Sequence, residues 1–111
     1  MIKILFVCHG NICRSPMAEF VFKDIVKKAG MTDSFYIASA ATSTEELGNP
    51  PHPGTREILN RLGISFQGKY AVQVKPSDYE KYDYIIGMDS ANIRNLKRML
   101  GEDKENKIYK L

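Results

Sequence analysis

Met1-Ile2-Lys3-Ile4-Leu5-Phe6-Val7-Cys8-His9-Gly10-Asn11-Ile12-Cys13-Arg14-Ser15-Pro16 is the stretch whose reading decides the fold. Ile2 to Val7 is an apolar run broken only by Lys3, and such a run suits a strand buried on both faces, as in a parallel sheet. A helix follows at once. Ser15 is a residue type that caps helices and Pro16 one that opens them. Met17, Ala18, Val21, Phe22, Ile25 and Ala29 recur at helical spacing, which predicts a buried stripe, with Glu19, Lys23, Asp24, Lys27 and Lys28 on the opposite side. Glu19/Lys23 and Asp24/Lys28 stand in the favourable four-apart order, and Gly30 closes the helix.

Working outward, Phe35 to Ala40 reads as a second strand. Ala41 to Gly54, punctuated by Gly48-Asn49-Pro50-Pro51 and Pro53-Gly54, reads as a long surface loop of the kind that carries function. Thr55 to Leu62 is a second helix expected to pack Ile58, Leu59 and Leu62. Tyr82 to Met88 is a third strand, and Asp89 or Ser90 caps a third helix with an Ile93, Leu96, Leu100 seam. Lys107 to Leu111 reads as the start of a fourth strand. Strands alternating with helices predict an α/β fold, a single doubly wound parallel sheet of about four strands flanked by helices.

The 111 residues argue for one domain spanning 1-111, and 43% apolar with 26% charged content fits a soluble globular chain. A net charge of +3, with no basic run interleaved with aromatics, excludes nucleic acid as the expected partner. No stretch approaches the roughly 18 apolar residues of a membrane helix, and the N-terminal run is too short for a signal peptide. Two cysteines are too few for a secreted disulfide scaffold, so a reducing cytoplasm is the expected compartment.

The turn after a first parallel strand is where such folds bind anions, because backbone N–H groups converge there and the helix N-terminus favours negative charge. Gly10 permits a close or left-handed backbone, and Asn11 tolerates the left-handed region better than most residues. Cys8, at the end of the strand, puts its sulfur in this electropositive nest, which favours the thiolate. The loop His9-Gly10-Asn11-Ile12-Cys13-Arg14 would then hold a phosphoryl group. The planar fork of Arg14 can take two equatorial oxygens while the sulfur attacks in line, and Ser15 can donate a hydroxyl hydrogen bond to it. The bland reading of Cys8 is a buried structural thiol. Cys13 either packs or captures oxidised Cys8 as a reversible disulfide. Cys-x4-Cys without a second cluster is poor zinc spacing, and neither a metal nor a cofactor is implied.

Val7 to Pro16 strongly resembles the signature of the low-molecular-weight protein tyrosine phosphatases. The likeness continues through Ser39-Ala40-Ala41-Thr42-Ser43, Gly48-Asn49-Pro50-Pro51, Tyr82-Asp83-Tyr84-Ile85 and Met88-Asp89. The resemblance implies hydrolysis of a phosphotyrosine protein or small aryl phosphate through a cysteinyl-phosphate, with inorganic phosphate as product. It makes Cys8 the nucleophile, Arg14 the phosphate clamp, and Asn11, Ser15 and Ser39 the polar residues that hold the loop in shape. The loop around Thr44, Glu45 and Glu46 corresponds to one wall of the substrate cleft.

Three departures accompany the resemblance. Glu45 stands where some relatives place an aromatic or large apolar residue. Lys69 occupies the place of a histidine that usually supports the phosphate loop, and a solvated surface lysine is the plain expectation for it. The family's general acid lies in an Asp-Pro-aromatic segment beyond the fourth strand, followed by a closing helix, and no Asp-Pro occurs in this sequence. Asp89 reads instead as a helix cap or loop support. These residues therefore predict a chain incomplete at its C-terminus, self-association or element exchange to cover the sheet, and slow release of leaving groups that need a proton. Two alternatives stay open: a phosphate-binding module with little turnover, and an arsenate reductase, for which resolving cysteines after Cys13 are lacking.

Overall fold

A computed structural model describes residues 1–111. Strand β1 (Ile2–Cys8) is buried without alternation from Ile4 to Cys8, as a central strand covered on both faces must be. It pairs in parallel with β2 (Phe35–Ala41) on one side and with β3 (Tyr84–Gly87) on the other. A short β4 (Ile108–Lys110) adds to β3, giving the all-parallel order β2-β1-β3-β4. The expected doubly wound sheet is therefore present. Because the chain leaves β1 toward β2 and later crosses to β3, the strand order reverses at β1, and the carboxyl ends of β1 and β3 frame the crevice where such sheets bind ligands.

Two apolar clusters cover the two faces. Leu5, Val7, Ala40, Ile85 and Leu96 pack on one, beneath helix α4 (Ser90–Leu100); Ile4, Phe6, Ile37 and Val26 pack on the other, beneath helix α1 (Arg14–Lys28). Helix α2 (Pro53–Arg61) lies against α1. It opens at Pro53, with the His52 ring accepting from the Gly54 N–H, and of the three residues expected to pack only Leu59 is buried; Ile58 and the C-cap Leu62 are exposed. A single-turn helix α3 (Asp78–Lys81), too short to show any sequence period, precedes β3. Asp103 organises the turn before β4 by accepting from the Tyr79 hydroxyl and the Lys107 and Ile108 N–H groups.

Helix α1 departs from expectation in two ways. Its N-cap is Cys13, which supplies no side-chain bond, so Ser15 lies inside the first turn and its hydroxyl is free for other work. The buried face also runs through Ser15, Pro16, Glu19, Phe20 and Val26, leaving Ile25 exposed. Glu19, expected on the solvent side, faces the sheet because its partners lie there.

Candidate active site

The loop between β1 and α1 wraps around the Cys8 sulfur. Cys8 Sγ lies 3.0 Å from Ser15 Oγ and receives the Asn11 N–H at 3.3 Å. Asn11 holds φ at +57° and is almost wholly buried, so it occupies the left-handed region with its amide turned inward. Three bonds hold that amide: Nδ2 donates to Ser15 Oγ (2.8 Å) and Ser39 Oγ (2.9 Å), and Oδ1 accepts from the Val72 N–H (3.1 Å).

The Val72 N–H can only donate, so Asn11 Oδ1 faces it and Nδ2 faces the two serines. Ser15 Oγ accepts from Asn11 and keeps its own hydrogen for Cys8 Sγ, which accepts it when the sulfur is a thiolate. Ser39 Oγ likewise accepts from Asn11 and donates to Glu19 Oε1 at 2.5 Å. Lys23 Nζ donates to the other Glu19 oxygen at 2.6 Å. Lys69, far from being a solvated surface residue, has a side chain only 11% exposed. Its Nζ donates to the Ser39 carbonyl at 3.0 Å and stands 3.5 Å from Glu19 Oε1. Burial pushes the Lys69 ammonium below its usual range, and Glu19 pulls it back up.

Arg14 is half-exposed and donates from Nη1 to Asp89 Oδ2 at 2.7 Å. Asp89 also caps α4, its Oδ1 accepting from the Asn92 N–H at 2.8 Å, while Asn92 Oδ1 accepts from the N–H groups of Met88 and Asp89. The Asn92 N–H, then Arg14, hold the Asp89 carboxyl below the usual carboxylate range, and the bond to Asp89 raises Arg14 in turn. Asp89 is thus built into the site as an anion that orients Arg14.

The cleft wall is tied to the loop by backbone. The Ser43 N–H and Oγ both donate to the His9 carbonyl, at 3.0 and 2.9 Å. His9 Nε2 lies 2.9 Å from Glu45 Oε2, with both side chains exposed. Glu46, held by Asn49 at 2.6 Å, lies so close over Gly10 that a Cβ there would meet its Cγ at 3.3 Å. The Ile12 carbonyl accepts from the His52 N–H at 2.7 Å, anchoring the loop's far end. Cys13 is exposed and unpaired, which removes the packing reading for it. No group of three His, Cys, Asp or Glu side chains converges to share a metal ion. An apolar cavity of about 720 Å³ opens beside Arg14, lined by Met17, Val21, Ile58, Met88 and Leu111 among others.

Sequence reasoning brought together Cys8, Asn11, Arg14, Ser15 and Ser39, and the structure places them within one hydrogen-bonded cluster and its Arg14 rim. It missed Glu19 and Val72 and misread Lys69. The one available signal was the sequence Ala18-Glu19-Phe20, a charge beside residues that pack.

The family described as low molecular weight phosphotyrosine protein phosphatase matches residues 3–111. The chain belongs to this family. It is 50% identical over 111 residues to the low molecular weight protein-tyrosine-phosphatase YfkJ of Bacillus subtilis, covering 100% of this chain and 71% of that protein. It is 44% identical over 108 residues to the low molecular weight phosphotyrosine protein phosphatase of Schizosaccharomyces pombe, covering 96% and 69%. The crystal structure of YfkJ superposes with a TM-score of 0.94, covering 99% of this chain and 69% of that one. The phosphatase fold assignment thus rests on sequence and architecture together.

Proposed function

We propose that this chain hydrolyses phosphate monoesters of protein tyrosine and of small aryl alcohols, with Cys8 as nucleophile. The observation that carries the reading is the Cys8 sulfur at the N-terminus of α1, 3.0 Å from the Ser15 hydroxyl and accepting from the Asn11 N–H. In the first step the thiolate attacks phosphorus, the S–P bond forms and the P–O bond to the aryl group breaks. The departing aryl oxygen takes up a proton from solvent water. Water then attacks the cysteinyl-phosphate, the S–P bond breaks, and inorganic phosphate leaves with the thiolate restored. Arg14, released from Asp89 or shared with it, clamps two phosphoryl oxygens, and the N–H groups of residues 9–14 take the rest. Asn11 and Ser39 support the loop, and Glu45 and Glu46 form a cleft wall.

A second reading is a phosphate-binding module with slow turnover. Asp89, the carboxylate that touches Arg14, is held as an anion and is a poor proton donor. An acid withheld from the leaving group costs about 10²–10⁴ in rate.

Rapid mixing with an activated aryl phosphate and with phosphotyrosine separates the two. Steady turnover of both supports the phosphatase. A burst on the activated ester with little phosphotyrosine turnover supports the impaired module. Absence of a Cys8-linked phosphoenzyme under quench would remove the nucleophile assignment.

Two finer assignments belong with this proposal. Free Cys8 and Cys13 thiols suit a reducing compartment such as the cytoplasm. The apolar cavity beside α1, with Leu111 exposed at its edge, suits self-association of the chain.

A further inference from the structure

At the mouth of the proposed cleft one side-chain contact joins the phosphate loop to its wall. His9 Nε2 lies 2.9 Å from Glu45 Oε2, and the two side chains are 57% and 70% exposed. Ser43 fixes both backbones that carry them: its N–H and hydroxyl donate to the His9 carbonyl, and its Oγ accepts from the Glu45 N–H at 3.4 Å. The pair therefore spans a gap of set width, and only its side chains are free to change partners. The other carboxylates of the rim are committed. Glu46 takes the Asn49 amide at 2.6 Å, and Asp89 takes Arg14 and the Asn92 N–H. Glu45 is the rim carboxylate whose one side-chain partner is an imidazole.

We propose that Glu45 selects protein substrates that carry an arginine or lysine beside the phosphotyrosine, the substrate's cation displacing His9 from the carboxylate. The inference rests on the reading of residues 9–14 as the phosphate site, since a phosphoryl group seated there brings its flanking residues past Glu45. An exposed ion pair of this kind contributes little to stability, so its consequence lies in what can replace it. An imidazole is the weakest cationic partner for a carboxylate near neutral pH. A guanidinium is always charged and presents a planar fork to both oxygens. The exchange keeps one ion pair and returns the His9 ring to solvent. An acidic flanking residue meets the reverse, a like charge at Glu45 with Glu46 next to it in the chain. The net charge of +3 acts in the opposite sense, drawing acidic peptides from a distance. A preference for basic peptides therefore has to arise at the rim.

The test uses three peptides of one neutral host, built on a non-hydrolysable phosphonate mimic of phosphotyrosine and flanked on both sides by Arg, Gln or Glu. Each is titrated calorimetrically into the wild-type chain. The expected order puts the Arg peptide tightest and the Glu peptide weakest, about threefold apart at each step, the size of one exposed ion pair. Glu45→Gln should bring the three affinities together. His9→Gln, which takes the imidazole from Glu45, should spread them further. Equal affinities for the wild-type chain overturn the proposal, and so does an Arg-first order that survives Glu45→Gln. Burst kinetics of the wild-type chain on an activated aryl phosphate, run alongside, keep this failure distinct from that of the nucleophile assignment. A burst without the charge order removes the selectivity alone. The charge order without a burst supports the selectivity and removes the nucleophile.

Discussion

Asn11 does three jobs with one side chain: it accepts from Val72, donates to Ser15 and Ser39, and holds a left-handed backbone that lets its own N–H reach the sulfur. The two contributions separate by substitution. Asn11→Gly tolerates the backbone but orphans the Val72 N–H, at about 1–3 kcal/mol for a buried unpaired donor. Asn11→Ala should cost roughly 1–2 kcal/mol more, because its Cβ opposes the left-handed region. Urea unfolding of both variants checks this, and equal stabilities would remove the strain argument. Asp89 carries a pH signature. Its folded carboxyl titrates below the ordinary value because of the Asn92 N–H and Arg14. A depressed carboxylate contributes stability above its unfolded pKa and loses it as pH falls through the folded one. The stability gap between wild type and Asp89→Ala should therefore be full above about pH 4 and narrow in more acidic solution. A gap constant down to acid would assign Asp89 to packing.

At the scale of elements, the contact of β3 with α4 shapes the site. A Cβ on Gly87 would sit 2.9 Å from Ile93 Cδ1 and 3.1 Å from Asn92 Cβ. Ile93 can yield, but Asn92 is buried and committed to the Met88 and Asp89 N–H groups. Gly87→Ala should therefore push α4 from the sheet at about 1–3 kcal/mol, the usual cost of overpacking. It should also weaken phosphate binding, because displacing Asn92 displaces the carboxylate that orients Arg14. Calorimetric titration with inorganic phosphate beside a thermal melt reads both, and a destabilised variant with unchanged phosphate affinity would uncouple α4 from the site. Helix α1 shows where element-level reading fails. Periodicity placed Glu19 with the solvated charges, since hydropathy counts a glutamate as polar wherever its partners lie. Ser15, with Pro16 after it, has the residue type of a cap, whereas the helix starts before it and the hydroxyl is spent on Cys8 and Asn11.

Across the whole molecule, the sheet is covered on both faces near β1, while β4 stands at the edge with Tyr109 and Leu111 exposed. Between that edge and α1 and α2 lies the apolar cavity of about 720 Å³. The proposed self-association should raise the weight-average mass with concentration in light scattering, and Val21→Glu, which places a charge in the cavity lining, should suppress the rise. A concentration-independent monomer mass for the wild-type chain would end the proposal. None of the helices is long and apolar enough to cross a membrane.

What the sequence by itself determined is the strand, turn and helix of residues 2–28 and the convergence of Cys8, Arg14 and Ser15 within them. Those relations are local: an apolar run, a Gly-Asn turn and a helix start settle geometry among neighbours. Only the tertiary structure decided the partners of that loop. Arg14 meets Asp89 across 75 positions, Asn11 meets Val72 across 61, and Lys69 meets Ser39 across 30. A buried charge is affordable only where its counter-charge arrives, and no periodicity within α1 records that Lys69 will cover Glu19.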